Sequence, residues 1–124
     1  MKLSEACRKA AEIMSEKGHI RGVREITPEE PEGVRLFGQE PGVCLMGAVS
    51  YALAGNPWVI MSDEIHEILK TGDRLVCDLR LLENQPLPVF SSRAVTYNDL
   101  ESTTKEDVVL LLKRMAEKFE EEGK

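Results

Sequence analysis

The most apolar stretch of the chain reads VCLMGAVSYALA and covers residues 43–54. Only Ser50 and Tyr51 in it are polar, so water should reach very little of its circumference. Its length is too great for an ordinary strand and suits a buried helix, which residues 55–57 (Gly-Asn-Pro) would end. Gly47 costs about 1 kcal/mol relative to alanine inside a helix, and the close approach of another backbone would compensate for that cost. We therefore expect residues 43–54 to form a buried helix at the centre of the fold.

Two amphipathic helices are predicted near the ends of the chain. Apolar residues recur at spacings of three and four over residues 3–17, and Gly18 follows as a stop. The same spacing runs over residues 108–119, after overlapping capping boxes that begin at Thr103 and Thr104. Each helix would bury its apolar stripe against the rest of the core.

The middle of the chain is predicted from caps and helix-breaking residues. Ser4 is expected to cap the first helix, and Ser62 a further helix that Gly72 would end. Residues 73–82 fit an amphipathic helix or a strand equally. Residues 84–92 contain two prolines and should form an exposed crossing.

Short extended pieces at residues 20–26, 34–37 and 94–97 are predicted to build a small antiparallel ribbon, the first two pairing as a hairpin around an acidic loop. We therefore predict one domain over residues 1–124 with a helix-dominated α+β fold. Its central buried helix would be packed by the N- and C-terminal helices. An all-α fold with no sheet is the alternative.

Composition limits the classes of partner. A net charge of −6 argues against a broad basic surface, so nucleic acid is not an expected partner. The sequence has no apolar run of about 20 residues, which excludes a membrane-spanning helix. The start of the chain has no apolar signal region, and three widely spaced cysteines suit reduced thiols. We therefore expect a cytoplasmic protein.

Cys44 is the sharpest candidate for chemistry. A cysteine at a helix N-terminus lies near the positive end of the helix dipole, which favours the thiolate. With His66 as base and Asn98 or Asp99 as the orienting group, a cysteine-dependent hydrolase can be written. A cysteine in an apolar helix is more often a buried packing residue, and that is our expectation for Cys44.

A second candidate site combines Tyr97, Asn98 and Asp99 beside a predicted helix start, where anions or polar ligands can bind. The same Asn-Asp pair can instead stabilise a turn by bonding backbone amides. No pair of histidine or cysteine residues has metal-ligand spacing, so we expect no metal and no cofactor.

The loop that holds Glu29, Glu30 and Glu32 is strongly acidic. A solvated surface loop is the ordinary interpretation of such a run. The functional alternative is an interaction patch for a basic partner, or local mimicry of nucleic-acid phosphates.

Several short motifs are shared with a known group of proteins. They are the segment Cys44-Leu45-Met46-Gly47-Ala48, the aromatic Tyr97 before Asn98-Asp99, then Thr104, and Asp107-Val108. In these motifs the chain resembles a small family of unknown function found in bacteria and their phages. Val43 departs from it, because many members carry a second cysteine or a tryptophan beside the motif cysteine. The resemblance implies an α-rich single domain and supplies no activity.

These observations together favour a small soluble intracellular binding protein, with a phage origin left open, that acts by contact with a macromolecular partner. The expected partner is a protein, and self-association is left open. The alternatives are a small hydrolase that uses Cys44 and a binder of nucleotides or nucleic acid.

Overall fold

The computed structural model describes residues 1–58, 62–83 and 92–124. The described residues contain five α-helices, named in chain order α1 (Leu3–Lys17), α2 (Leu45–Ala54), α3 (Asp63–Asp78), α4 (Arg93–Asp99) and α5 (Lys105–Glu121). The strands β1 (Glu25–Ile26) and β2 (Gly42–Val43) pair antiparallel, and two 3₁₀ turns lie between them at Glu32–Val34 and Leu36–Gly38. The fold is therefore helix-dominated α+β, as the sequence predicts.

Helix α1 packs against both α2 and α5. The predicted arrangement differs, because in it the helix over residues 43–54 is packed by both terminal helices. The difference arises because α1 buries a wide stripe of small residues, which lets a helix approach on either side. These residues are Ala6, Cys7, Ala10 and Ala11, all of which lie in the main core.

Helix α2 begins two residues later than predicted. Val43 belongs to β2, where its N–H donates to the Gly18 carbonyl (2.9 Å) and its own carbonyl accepts from the N–H of Ile20 (3.1 Å). Because both backbone groups of Val43 are used in this way, the helix starts at Leu45 with Cys44 as its N-cap.

The predicted hairpin between residues 20–26 and 34–37 is wrong. Glu25 of β1 lies opposite Val43, and Ile26 lies opposite Gly42. The backbone at residues 42 and 43 is buried, so pairing there satisfies polar groups that water cannot reach. Residues 34–37 form part of the two 3₁₀ turns.

Helix α3 continues through the predicted stop at Gly72, so the first part of the segment 73–82 is helical. A Cβ at position 72 would lie 3.1 Å from the Ala94 Cβ and 3.2 Å from the Met115 Cε. Gly72 therefore allows α4 and α5 to pack closely on α3. Residues 84–91 of the predicted crossing lie outside the described residues.

The predicted strand at residues 94–97 is also wrong, because these residues belong to α4. Ser92 caps this helix by accepting from the N–H of Val95 (3.3 Å). The Asp73 carboxylate accepts from both the Ser92 hydroxyl (2.6 Å) and the N–H of Ala94 (2.8 Å). Two acceptors at its start favour the helix over a strand that β propensity alone suggests.

The two terminal helices begin differently. At α5 the capping box between Thr104 and Asp107 is present, whereas the one predicted from Thr103 is not. At α1 the N-cap is Lys2, and Ser4 is buried inside the first turn. The prediction that Ser4 caps α1 is therefore wrong.

Candidate functional site

Asn98 forms a buried junction between three parts of the chain. Its side-chain oxygen accepts from the N–H of Leu45 (3.0 Å), one of the N–H groups at the start of α2 that has no partner inside the helix. Its amide nitrogen donates to the Ile20 carbonyl (3.1 Å) and to the Asp99 carboxylate (2.9 Å). Asn98 is 1% exposed, so its polar side-chain atoms serve hydrogen bonds within the fold.

The neighbours of Asn98 fasten residues 19–22 to the end of α4. The Asp99 carboxylate accepts from the N–H of Gly22 (3.1 Å), although its side chain remains exposed. His19 donates from Nε2 to the backbone carbonyl of Asn98 (3.0 Å). Burial is the main reason that the pKa of His19 is lowered, so the neutral ring is favoured.

Arg21 extends this connection beyond α4. Its Nε donates to the Leu100 carbonyl (2.8 Å), and its Nη2 donates to the carbonyls of Glu101 (3.1 Å) and Thr103 (2.7 Å). Three charge-assisted hydrogen bonds to backbone oxygens hold residues 19–22 firmly against residues 98–103.

The predicted cluster of Tyr97, Asn98 and Asp99 does not converge on one cavity. Tyr97 instead lines a separate groove with Leu79 and Leu110. Burial raises the pKa of Tyr97, and the nearby Asp107 adds to the effect. A ligand-binding role for the three residues stays a prediction, whereas their structural contacts are now defined.

Cys44 caps α2 with its sulfur, which accepts from the N–H of Gly47 (3.3 Å). The residue is 8% exposed, and burial raises the pKa of its thiol. The charge of Asp99 acts in the same direction, which is opposite to what a nucleophile needs. His66 is exposed on α3, and within the described ranges no hydrogen bond joins it to Cys44. The geometry therefore gives this sulfur a capping role.

We define the acidic loop as residues 27–40. Its one arginine, Arg35, is bound within the loop. Arg35 donates from Nε to the Glu30 carbonyl (2.9 Å), and its Nη1 lies 3.9 Å from a carboxylate oxygen of Glu40. Glu29 and Glu32 are exposed, and Glu30 is half-buried. The outer surface of the loop is therefore negative.

Beside these glutamates lies an apolar tip, which we define as Val34, Leu36 and Phe37. Val34 is 71% exposed and Phe37 is 79% exposed. Phe37 has a φ of 58° and a ψ of 19°, the left-handed conformation that a bulky side chain rarely adopts. Gln39 holds the tip in place by bonding both backbone groups of Arg21 (2.8 and 2.9 Å) and the Leu36 carbonyl (3.1 Å).

The sequence pattern does not predict this tip, because residues 34–37 are expected to form a strand. The signal was present in the flanking residues: Gly33 and Gly38 enclose the apolar residues, and prolines precede them. A run of apolar residues enclosed by turn formers need not face the core.

The described ranges contain neither a candidate metal site nor a candidate membrane span. No group of three histidine, cysteine, aspartate or glutamate side chains there is arranged to hold a metal ion. No helix there has the length and apolar character needed to cross a bilayer.

The fold and the site define a helix-dominated α+β protein that presents a well-fastened acidic loop with an exposed apolar tip. The chain belongs to the family described as a family of unknown function (DUF6197), whose model matches residues 1–118. This finding confirms the resemblance stated from the motifs around Cys44 and Asn98. Comparison of the chain with curated proteins and with solved structures finds no match.

Proposed function

We propose that this protein is a binding module that docks a basic protein partner on the acidic loop, with Phe37 as the anchor. The observation that carries the proposal is that Phe37 is 79% exposed and has a backbone with positive φ. Such a backbone costs on the order of 1 kcal/mol or more, and an exposed ring recovers little of that cost within the monomer. Strained and exposed apolar residues of this kind are typical of interaction sites.

The chemistry of the loop defines the partner. Aromatic side chains are enriched in protein interfaces and supply much of the binding energy when a pocket on the partner encloses them. The exposed glutamates around the tip, Glu29, Glu32 and Glu40, would form the polar rim. A complementary surface therefore has an apolar pocket surrounded by lysine or arginine side chains.

The loop is also organised before binding. Gln39 and Arg35 fix it from within, and Gln39 connects it to Arg21, which is itself bound to residues 100–103. A surface that is already ordered loses less conformational entropy on association, which leaves more of the contact energy as affinity. We place this activity in the bacterial cytoplasm, or in the host cytoplasm if the chain is encoded by a phage.

A comparison of variants tests the proposal. Phe37→Gly removes the ring and suits the left-handed backbone, so the monomer should be as stable as the wild type or more stable. Tagged wild-type and variant proteins would be used to capture partners from a lysate of the source bacterium or the phage's host. We expect a basic protein to be captured by the wild type and its affinity for Phe37→Gly to fall by at least roughly tenfold. The pair of changes Glu29→Lys and Glu32→Lys should also weaken its capture, most strongly at low salt.

Trp58→Ala provides the matched control, because Trp58 is an exposed aromatic residue outside the acidic loop. Its capture profile should equal that of the wild type. If every protein captured by the wild type is captured equally by Phe37→Gly, the acidic loop is not the binding site and the proposal fails.

A further inference from the structure

The exposed face of α5 has Leu110 at its centre, half exposed between two grooves. One groove, of about 270 Å³, lies on the side of Tyr97, Leu79 and Leu81. The other, of about 380 Å³, lies on the side of α1 and includes Ser15. A large apolar side chain on a ridge between two grooves has the shape that helix-to-helix packing uses.

The charges around Leu110 change sign from one side of it to the other along the helix. Glu106 and Asp107 precede it by four and three residues, and Lys113 and Arg114 follow it by three and four. Asp107 and Arg114 border the Tyr97 groove, whereas Glu106 and Lys113 border the α1 groove. Among the described residues, none of these four side chains takes part in an ion pair.

We propose that this face binds a second copy of the chain, with the two α5 helices antiparallel and related by a twofold axis at Leu110. The axis would run along the interface, perpendicular to the helices, so each groove would face the same groove of the other copy. Asp107 would then lie level with Arg114 of the second copy, and Glu106 level with Lys113. Each pair is separated by seven residues, and both are centred within half a residue of position 110.

The self-complementary pattern is what selects a second copy over other occupants. Two identical surfaces repel each other, or gain no electrostatic attraction, unless each carries positive and negative charges in the arrangement that the twofold symmetry requires. On α5 the charge pairs beside both grooves have this arrangement about the same twofold axis. The two Leu110 side chains would pack beside each other at the axis, each against a groove of the opposite copy.

Reversal of the charges that border the α1 groove provides the test. Glu106 and Lys113 suit it because neither belongs to the capping box of α5. In a dimer of the Glu106→Lys variant, two positive side chains meet at each of these pairs. In a dimer of the Lys113→Glu variant, two negative side chains meet there. Mixing the two variants makes both pairs attractive again. We expect sedimentation equilibrium to show a wild-type dimer, a roughly tenfold weaker association of each variant alone, equivalent to about 1.4 kcal/mol, and recovery in the mixture.

Two more variants make the result specific. Leu110→Ser removes the apolar contact from an exposed position and should give a folded monomer, confirmed by its circular dichroism spectrum and unfolding midpoint. Lys70→Glu on α3 is the control, since it reverses an exposed charge that lines neither groove beside Leu110 and should leave the dimer unchanged. A wild-type protein that stays monomeric at the highest soluble concentration overturns the proposal. A dimer that survives both Leu110→Ser and the single charge reversals overturns it equally.

Discussion

The backbone carbonyl oxygen of Arg24 occupies the space in which a side chain on Gly47 would lie. The same oxygen accepts from the N–H of Cys44 (3.2 Å), so the first turn of α2 rests directly on the chain at residue 24. This contact is the close backbone approach that the sequence predicts for Gly47, and it joins the core helix to the segment that carries the acidic loop.

Gly47→Ala should therefore destabilise the protein by about 1–3 kcal/mol, because the added Cβ displaces the Arg24 carbonyl. The measurement is the free energy of unfolding in urea. Gly33→Ala is the matched control, since a Cβ at position 33 meets no atom within 4 Å. Equal stability of the two variants would show that α2 does not rest on residue 24.

Asn98→Ala should lower the free energy of unfolding by about 2 kcal/mol or more, since it leaves the Leu45 N–H and the Ile20 carbonyl without their partner in a buried site. Asp99→Ala removes an exposed carboxylate that accepts two hydrogen bonds, from the Gly22 N–H and the Asn98 amide, and should cost clearly less because water can replace that acceptor. Urea unfolding of both variants measures the difference. A larger loss for Asp99→Ala would contradict the junction as described.

The three thiols should differ in their rates of alkylation by iodoacetamide. Cys77 is exposed, whereas Cys7 and Cys44 are buried, and burial raises the pKa of the Cys7 thiol to about 12. We expect one fast equivalent in the native protein, none in Cys77→Ser, and reaction of every thiol after unfolding. Peptide mass spectrometry identifies the sites. If Cys44 reacts as fast as Cys77, the capping role is wrong and a nucleophilic cysteine returns to consideration.

Stability should fall on the acid side because of His19. Its pKa in the folded protein lies below the ordinary value of 6.5, so the unfolded chain binds its proton more readily as the pH drops. The stability that comes from the neutral His19 ring is fully present above pH 6.5 and is lost as the pH falls through the pKa of His19 in the folded protein. His19→Gln keeps an N–H donor without a titration and should reduce the loss of stability between about pH 7.5 and about pH 5.5. Urea midpoints at the two pH values measure the effect, and an unchanged loss in His19→Gln would refute it.

The helices that the sequence predicted best are those with strong periodicity and local caps. Helix α1 and the capping box of Thr104 needed only neighbouring residues to specify them. The failures have long-range causes. Val43 lies outside α2 because its backbone pairs with residues 18–20. Residues 94–97 are helical because Asp73 on α3 supplies a hydrogen-bond acceptor at their start.

The candidate site was predicted in part for the same reason. Glu29, Glu30 and Glu32 stand out by composition alone. Phe37 does not, because its exposure depends on Gln39 reaching back to Arg21, eighteen residues earlier in the chain. A hydrogen bond of that range leaves no periodic signal in a single sequence.

Photo-crosslinking from position 37 tests the central claim most directly. A photoreactive phenylalanine analogue would be placed at position 37, and separately at positions 58 and 110, in protein expressed in the cells in which the chain naturally occurs. We predict a covalent adduct with a basic protein from position 37 that position 58 does not give, and an adduct between two copies of the chain from position 110. Adducts from position 37 that are absent, or no different from those at position 58, would contradict a docking role for the acidic loop.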